Sequence, residues 1–437
     1  MLYANEALID TVNKLIEVID KRLKCPDEYK EPKVNAYIKL GRVKKLIGKY
    51  DESIADYSTV IELAQEYDFK RLEAIGHRNI ADVYRIKGHF EQAFEHLKTA
   101  SGLFGNLKDD VEELTCQNSL GVVFQSKGDY ETSIDYFNEG IKLAEKKGNL
   151  SAKANATNNI GISYQYLGDY ENAIKYFELT NDMMIELDNR KGTIATLTNI
   201  GICLERLGEF ENSLKRYAKS LQTAEDIGFK YAIVANLLNM GQCHQYLGDQ
   251  KNAIKFFNKV IKLSKEDGDL ASESMAYGNL AKSFIYTGND VEASNSIQKG
   301  KELADKSNYY SSLINVKLAK LMFQIKKEDY KSAKSLAEEI IKQIEEKNDK
   351  DNAPIAYRLY ANALNGLRLY DNALKQIDKA IEIAKEDKYP RELAWALMVK
   401  GTILENLKNK EQAKLATSEA KQIATTLKDK TLLSILS

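Results

Sequence analysis

The strongest constraint in this sequence is a period. A small residue recurs as Gly41, Ala81, Gly121, Gly161, Gly201, Gly241 and Ala281, forty residues apart, and a glycine follows seven residues later at Gly48, Gly88, Gly128, Gly168, Gly208, Gly248 and Gly288. Self-similarity at a fixed spacing of this size marks an array whose units bury their apolar faces against their neighbours. Length then counts repeats, so the 437 residues are expected to form one array and not several globular domains. The stretch 158–177, NNIGISYQYLGDYENAIKYF, is the template on which the other units vary.

Each unit reads as two helices. In the fourth, residues 154–167 form helix A, Gly168 supplies a left-handed turn, and Asp169 caps helix B from Tyr170. Gly161 and Ala173 let the two helices approach, and Tyr164, Ile174 and Phe177 fill the seam. The four prolines, Pro26, Pro32, Pro354 and Pro390, fall at expected junctions. Leu8, Val12, Leu15, Ile16, Ile19 and Leu23 share one helical stripe, so residues 1–33 are expected to be a capping helix and a linker through 25–33. Residues 34–433 then hold ten repeats and 434–437 a tail. In the eighth unit Ala319 sits two residues ahead of the grid while Tyr330 and Ala333 lie on it, which predicts two extra residues in that turn. Units nine and ten carry Arg368 and Lys408 in place of the turn glycine. The expected fold class is all-α, an α-solenoid.

Charge removes several functions. With 63 Lys+Arg against 64 Asp+Glu there is no global basic field for nucleic acid or anionic lipid. Four scattered cysteines give no disulfide framework and fit a reducing compartment. The N-terminus lacks a basic segment followed by an apolar one, and no run approaches the roughly 18 apolar residues of a spanning helix. A cytoplasmic protein without membrane contact is expected. No catalytic constellation, metal set or cofactor motif is present. His77 and His244 occupy packing positions, His89 a turn and His96 helix B, while Cys203 and Cys243 share a repeat position with Ser163 and Ser283.

With the units aligned, Gly161, Tyr164, Gly168, Tyr170, Ala173 and Phe177 form a pattern that resembles the tetratricopeptide repeat, over about residues 34–433. The forty-residue period and the Asn-x-Gly element resemble the long-repeat branch that includes Pins/LGN adaptors, kinesin light chain and bacterial Rap-like peptide sensors. This resemblance implies a right-handed superhelix of about ten helix-turn-helix units, whose A helices line a concave groove that binds a peptide, often extended. It implies no chemistry.

Two residues before the small one stand Asn79, Asn159, Asn199, Asn239 and Asn279, with Ser119 interrupting. A carboxamide offers a donor and an acceptor, so such a ladder can pair with an extended peptide backbone whatever its sequence. In the similar peptide-binding families, asparagine at this position has that role. The same amides can instead bond an adjacent helix and order the stack. Neighbouring groove positions carry Gln125, Gln165, Glu205 and Gln245, then Tyr166, Arg206, Tyr246 and Tyr286. The tyrosines serve as partner anchors or as core. Lys39, Arg42, Lys45, Arg78 and Arg85, tempered by Asp82, favour an acidic or carboxylate ligand end, or form a solvated basic face. Thr115 and Ser119 stand where a chaperone-type carboxylate clamp needs cations. Trp395 with Met398 and Val399 lines an apolar end of the groove or packs the terminal unit.

The leading reading is a non-catalytic adaptor that holds a protein or peptide ligand in its groove. The alternatives are a peptide-responsive receptor of the Rap-like kind and a regulatory array of a larger enzyme complex. The apolar end LLSILS motivates the last, and is also a candidate contact for a second copy of the chain.

Overall fold

The structure, a computed structural model, describes residues 27–436 and four upstream positions, Asp10, Thr11, Lys14 and Glu17. The expected N-terminal capping helix lies outside the described residues, as does Ser437. The described chain is all-helical and divides into two units, 1–167 and 168–437. Unit 1 contains α1 (Asp27–Leu46), α2 (Tyr50–Glu66), α3 (Lys70–Ile86), α4 (Phe90–Asn106), α5 (Asp110–Lys127), α6 (Tyr130–Lys146) and α7 (Leu150–Tyr166). Unit 2 contains α8 (Tyr170–Glu186), α9 (Arg190–Arg206), α10 (Phe210–Asp226), α11 (Lys230–Tyr246), α12 (Gln250–Asp267), α13 (Leu270–Thr287) and α14 (Asp290–Ser307). It continues with α15 (Tyr310–Lys326), α16 (Tyr330–Lys347), α17 (Ala353–Gly366), α18 (Tyr370–Glu386), α19 (Pro390–Asn406), α20 (Lys410–Thr426) and α21 (Lys430–Leu436).

The underlying spacing is twenty residues. Turn residues with positive φ stand at Gly48, Asp68, Gly88, Lys108 and onward through Arg368, Lys388, Lys408 and Lys428, one after every helix of α1–α20. Glycine fills half of these positions, and Asp, Asn, Lys, Arg and Glu fill the rest at the modest strain a left-handed residue carries. Asp169, Asp129 and Asp249 then accept the backbone N–H three residues on, as helix N-caps do.

Within each pair, the small residue of helix A faces a large residue sixteen positions later on helix B. A Cβ added at Gly41 would lie 2.7 Å from the Tyr57 ring, at Gly121 2.5 Å from Phe137, and at Gly241 2.5 Å from Phe257; Gly201 meets Tyr217 in the same way. All four aromatic side chains are fully buried. Where helix A carries alanine, the facing residue shrinks: Ala81 packs with Leu97 and Ala281 with Ile297. In the eighth pair the volumes are exchanged outright, Leu321 packing with Ala337. Over these seven pairs the seam keeps summed volume and not residue identity, as close packing demands, while the tenth pair, Gly401 with Thr417, is smaller.

Two expectations are corrected. The eighth turn has no insertion: α15 has the usual 17 residues and Glu328 takes the left-handed position on the grid. Leu321 holds the small-residue position there, so Ala319 occupies the place of the asparagine ladder. The linker expected through 25–33 ends sooner, because α1 begins at Asp27 and runs through Pro32. That proline lies in the second turn, where its missing N–H removes one bond close to the frayed helix start. In unit 1, His77 and His96 face each other with their Nδ1 atoms 2.9 Å apart, and burial lowers the pKa of both, which favours neutral imidazoles.

Seam complementarity makes a definite forecast. Phe257→Leu should destabilise by about 1–3 kcal/mol by opening a void, and Gly241→Ala should destabilise by forcing a methyl into the ring. Together they recreate the Ala81–Leu97 pair, so urea midpoints should show the double variant more stable than the sum of the two, with a favourable coupling of about 1–2 kcal/mol. Additive losses would contradict the packing account.

Candidate ligand cavity in the second unit

Unit 2 closes on itself. The Tyr170 hydroxyl donates to the carbonyl of Asp387 (3.2 Å), and Thr431 Oγ1 donates to the carbonyl of Gln245 (3.1 Å). Leu427 packs with Phe210 and Tyr246, and Lys428 reaches Glu211 at 3.4 Å. Gly208 holds φ +79° and lies directly under Leu427, so this turn requires glycine both for its backbone and for the approach of the returning chain. The expected apolar end is absorbed by the same closure. Leu432 is fully buried in a cluster with Ala394, Trp395 and Ala424, against which Leu433 and Leu436 pack, leaving Ile435 exposed.

The inner face of the ring holds a partly open cavity of about 380 Å³. Six successive A helices, α9, α11, α13, α15, α17 and α19, supply most of its wall. Seven residues singled out in the sequence meet there: Glu205, Arg206, Asn239, Gln245, Tyr246, Asn279 and Tyr286. The sequence reading missed Lys282, Asp351, Arg358, Tyr389, Arg391 and Glu392, which line the same space. Lys282 carried no clear signal, because its repeat position varies from Arg42 and Asp82 through Ile162 and Ile202 to Gln242. Residues 351–392 carried none, since their partners lie far away in sequence.

Most of the charge in the cavity is internally matched. Arg206 pairs with Asp351 and lies 4.5 Å over the Tyr389 ring. Arg391 lies 3.9 Å over the Tyr246 ring and pairs with Glu392 and Asp429, each at 3.0 Å. Arg358 reaches Glu392 at 3.3 Å and stands over Trp395. Burial pushes the Tyr389 phenol up to about 12 and the Tyr246 phenol well above its ordinary value, so both stay neutral donors. Glu205 is raised by burial, and its carboxyl accepts from the Tyr217 hydroxyl (3.2 Å) and the Cys243 thiol (3.6 Å).

The glutamines have a structural use. Gln125 Nε2 donates to the Asn159 carbonyl (3.3 Å) and Ser163 Oγ (3.0 Å), and Gln245 repeats the contact on the Asn279 carbonyl (2.8 Å) and Ser283 Oγ (2.7 Å). Each braces one A helix to the next. The Glu205–Cys243 contact is the same brace with donor and acceptor reversed. Asn159 is also engaged, donating to Asn118 Oδ1 at 3.0 Å. Asn199 and Gln165 are half-buried outside the cavity, and Tyr166 is exposed, stacked on Tyr130 with ring centres 5.2 Å apart. In unit 1, Arg78, Asn79 and Arg85 line a separate recess of about 240 Å³. Its cations are already paired, Arg78 with Glu112, and Arg85 and Lys45 with Asp82 at 2.8 and 2.7 Å.

Models of the tetratricopeptide repeat match residues 33–106, 72–146, 152–226 and 234–267. The chain belongs to the tetratricopeptide repeat family. Residues 273–365 and 356–437 match the model described as Anaphase-promoting complex subunit 5. Among solved structures, a Rap protein complexed with Competence and Sporulation Factor is 16% identical, with TM-score 0.54 over 83% of this chain and 99% of that one. The apo form of the quorum sensor NprR from B. thuringiensis is 16% identical, with TM-score 0.53 over 78% and 99%. Aspartyl phosphate phosphatase F from Bacillus subtilis is 14% identical, with TM-score 0.53 over 78% and 91%. At these identities the likeness is one of fold. A comparison with curated proteins finds no match. No helix among the described residues is long and apolar enough to cross a membrane.

In this tetratricopeptide array the C-terminal turn that meets the ring seam is held by Asp429, whose Oδ1 caps α21 through the Leu432 N–H (2.9 Å) while its other oxygen meets Arg391. Asp429→Asn keeps a cap acceptor but leaves Arg391 short of a buried counter-charge, which should cost about 3 kcal/mol. Hydrogen exchange should show faster opening of residues 427–436, with the α1–α4 seam unchanged.

Proposed function

We propose that this chain is a non-catalytic interaction protein that takes a peptide segment of a partner into the cavity of unit 2. The observation carrying this reading is the convergence of Asn239, Asn279, Arg206, Tyr246 and Tyr286 on one cavity whose wall Gln245 braces. Asn239 is the sharpest of them. Its carboxamide lines the cavity and makes no hydrogen bond among the described residues, so its donor and acceptor are both available to a peptide backbone. The repeat family supports the reading, as does the likeness of fold to a Rap protein complexed with Competence and Sporulation Factor. A volume of about 380 Å³ suits a few residues, so the open groove for a long extended segment gives way to a pocket for a short one. The unit 1 recess with Arg78, Asn79 and Arg85 is a weaker candidate because its cations are matched, and Gln125 and Asn159 are occupied by the stack. Three buried free thiols, Cys116, Cys203 and Cys243, support a cytoplasmic setting.

A second reading, a receptor whose ligand alters ring closure, is favoured by the polar rim of the closure: the Lys428–Glu211 pair is exposed and holds weakly. The match of residues 273–437 to a complex-subunit model supports assembly with other proteins as a third. The first reading is tested with peptides selected from a random display library against the full chain. Asn239→Ala should weaken their binding about tenfold, the worth of one or two hydrogen bonds, while leaving the melting temperature unchanged. Undiminished affinity would remove Asn239 from the site.

A further inference from the structure

The last repeat is charged on a face where its counterparts are apolar. On B helices inside unit 2, four positions spaced by four, three and four residues form one stripe: Phe210, Leu214, Tyr217 and Leu221 on α10, and Tyr370, Leu374, Ile377 and Ile381 on α18. The following A helix packs onto it, Ile377 and Ile381 sharing a cluster with Ala396 and Leu397 of α19. On α20 the same four positions are Lys410, Lys414, Thr417 and Lys421. The helix that follows, α21, has seven residues, and its Leu432 and Leu436 cluster with Ile423 and Ala424 near the end of α20. Beside the earlier turns of α20 lies a shallow recess of about 630 Å³, lined by Glu405, Lys410, Lys414, Thr417, Lys421 and Leu436. The three lysines are exposed, and none meets an acid among the described residues. Glu411 and Glu419 of α20 stand off the stripe and do not line the recess. Solubility asks only for a polar end, which mixed charges supply; three lysines with the acids of their own helix kept aside select a sign.

We infer that this recess is a second interaction surface, separate from the cavity, and that it takes an acidic amphipathic helix of a partner protein alongside α20. Shape gives the helix: the recess lies where the following A helix lies on the other B helices, and packed helices there stand about 8–10 Å apart. Lys410 and Lys421 are eleven residues apart, about 16 Å along the axis, so three turns of an occupant can meet all three lysines. Charge gives the acid. The array already matches a charge in this stripe from the covering helix, since Asp290 on α14 pairs with Lys326 of α15 at 2.8 Å. On α20 the signs are exchanged, and carboxylates on the covering helix answer the lysines. Thr417 supplies an apolar foothold. It occupies the place of the Tyr217 and Phe257 rings, so a partner side chain of leucine size fits over it and against Leu436. A second copy of the chain fits poorly, because a two-fold contact through this face sets lysine against lysine.

The test uses the full chain and three fluorescein-labelled designed helices, identical but for glutamate, glutamine or lysine at the spacing of the three lysines, with leucines between. Fluorescence anisotropy reports binding. The glutamate helix should bind, the glutamine helix about tenfold more weakly, the worth of three exposed ion pairs, and added salt should weaken the glutamate helix. The combined variant Lys410→Glu, Lys414→Glu and Lys421→Glu should lose the glutamate helix and bind the lysine helix, with its melting temperature unchanged. The control reverses Lys251, Lys255 and Lys262, exposed lysines of the same spacing on α12 that line no recess, and should alter neither affinity. Equal losses in the two combined variants reduce the effect to overall charge and overturn the proposal. Equal binding of the glutamate and glutamine helices overturns the acidic occupant. A chain that sediments as a dimer, and as a monomer once the α20 lysines are reversed, makes a second copy the occupant and overturns the partner. Binding to phosphatidylserine vesicles that needs those lysines, with all three helices silent, assigns the face to a lipid surface and overturns it as well. Silence from every probe does the same. Each of these outcomes leaves the cavity reading untouched, because Asn239 lies outside the recess.

Discussion

Everything in this molecule depends on how closely helix A approaches helix B within a repeat. The approach is set by a single pair of side chains sixteen residues apart, glycine under an aromatic ring at Gly41–Tyr57, Gly121–Phe137, Gly201–Tyr217 and Gly241–Phe257. Because the contact is a matter of volume, it tolerates Ala81–Leu97 and the full inversion at Leu321–Ala337. Repeats built this way have nearly the same shape despite different residues, so small rotations from one to the next add up along the array. In unit 2 they bring the chain back to its own beginning. The closure is then fixed by contacts that no single repeat contains, Tyr170 with Asp387 and Thr431 with Gln245.

Closure changes the chemistry of the inner surface. On an open array Arg206, Arg391 and Glu392 would stand in water, where ion pairs are worth little. Inside the ring they are stacked on Tyr389 and Tyr246 and matched with acids at about 3 Å. Such buried pairs cannot lose one member cheaply, so they give the ring a defined register. Among the described residues they also leave Lys282 as the cation held by amide oxygens alone, and Asn239 as an amide without a hydrogen bond.

What the sequence made legible follows from range. The period, the turn at Gly168, the cap at Asp169 and the A-helix positions of Asn239 and Asn279 all arise from contacts within a repeat or between neighbours, and these leave a periodic trace. The brace from Gln125 to Ser163 and from Gln245 to Ser283 was present too, as a spacing of 38 residues, but a polar pair looks like a site until its partner is seen. The insertion expected in the eighth unit came from treating the small residue as an identity: Ala319 imitated it while Leu321 and Ala337 had exchanged volumes. Ring closure left no trace, because the contact of Glu211 with Lys428 spans 217 residues and recurs in no repeat. Half of the cavity wall, including Tyr389, Arg391 and Glu392, became visible only with it.

The claim that unit 2 is a closed ring is tested most directly by a distance across the seam. Spin labels at Glu211→Cys and Lys428→Cys, in the full chain with Cys25→Ser, can be measured by double electron–electron resonance. The native thiols of Cys116, Cys203 and Cys243 are buried with their pKa values raised, and so resist labelling. The account predicts a single narrow population at the short end of the method's range, since the side chains it replaces meet at 3.4 Å. A broad distribution centred at about 50 Å, the separation that some five repeats advancing about 10 Å each along one row of helices would give an open array, would contradict it.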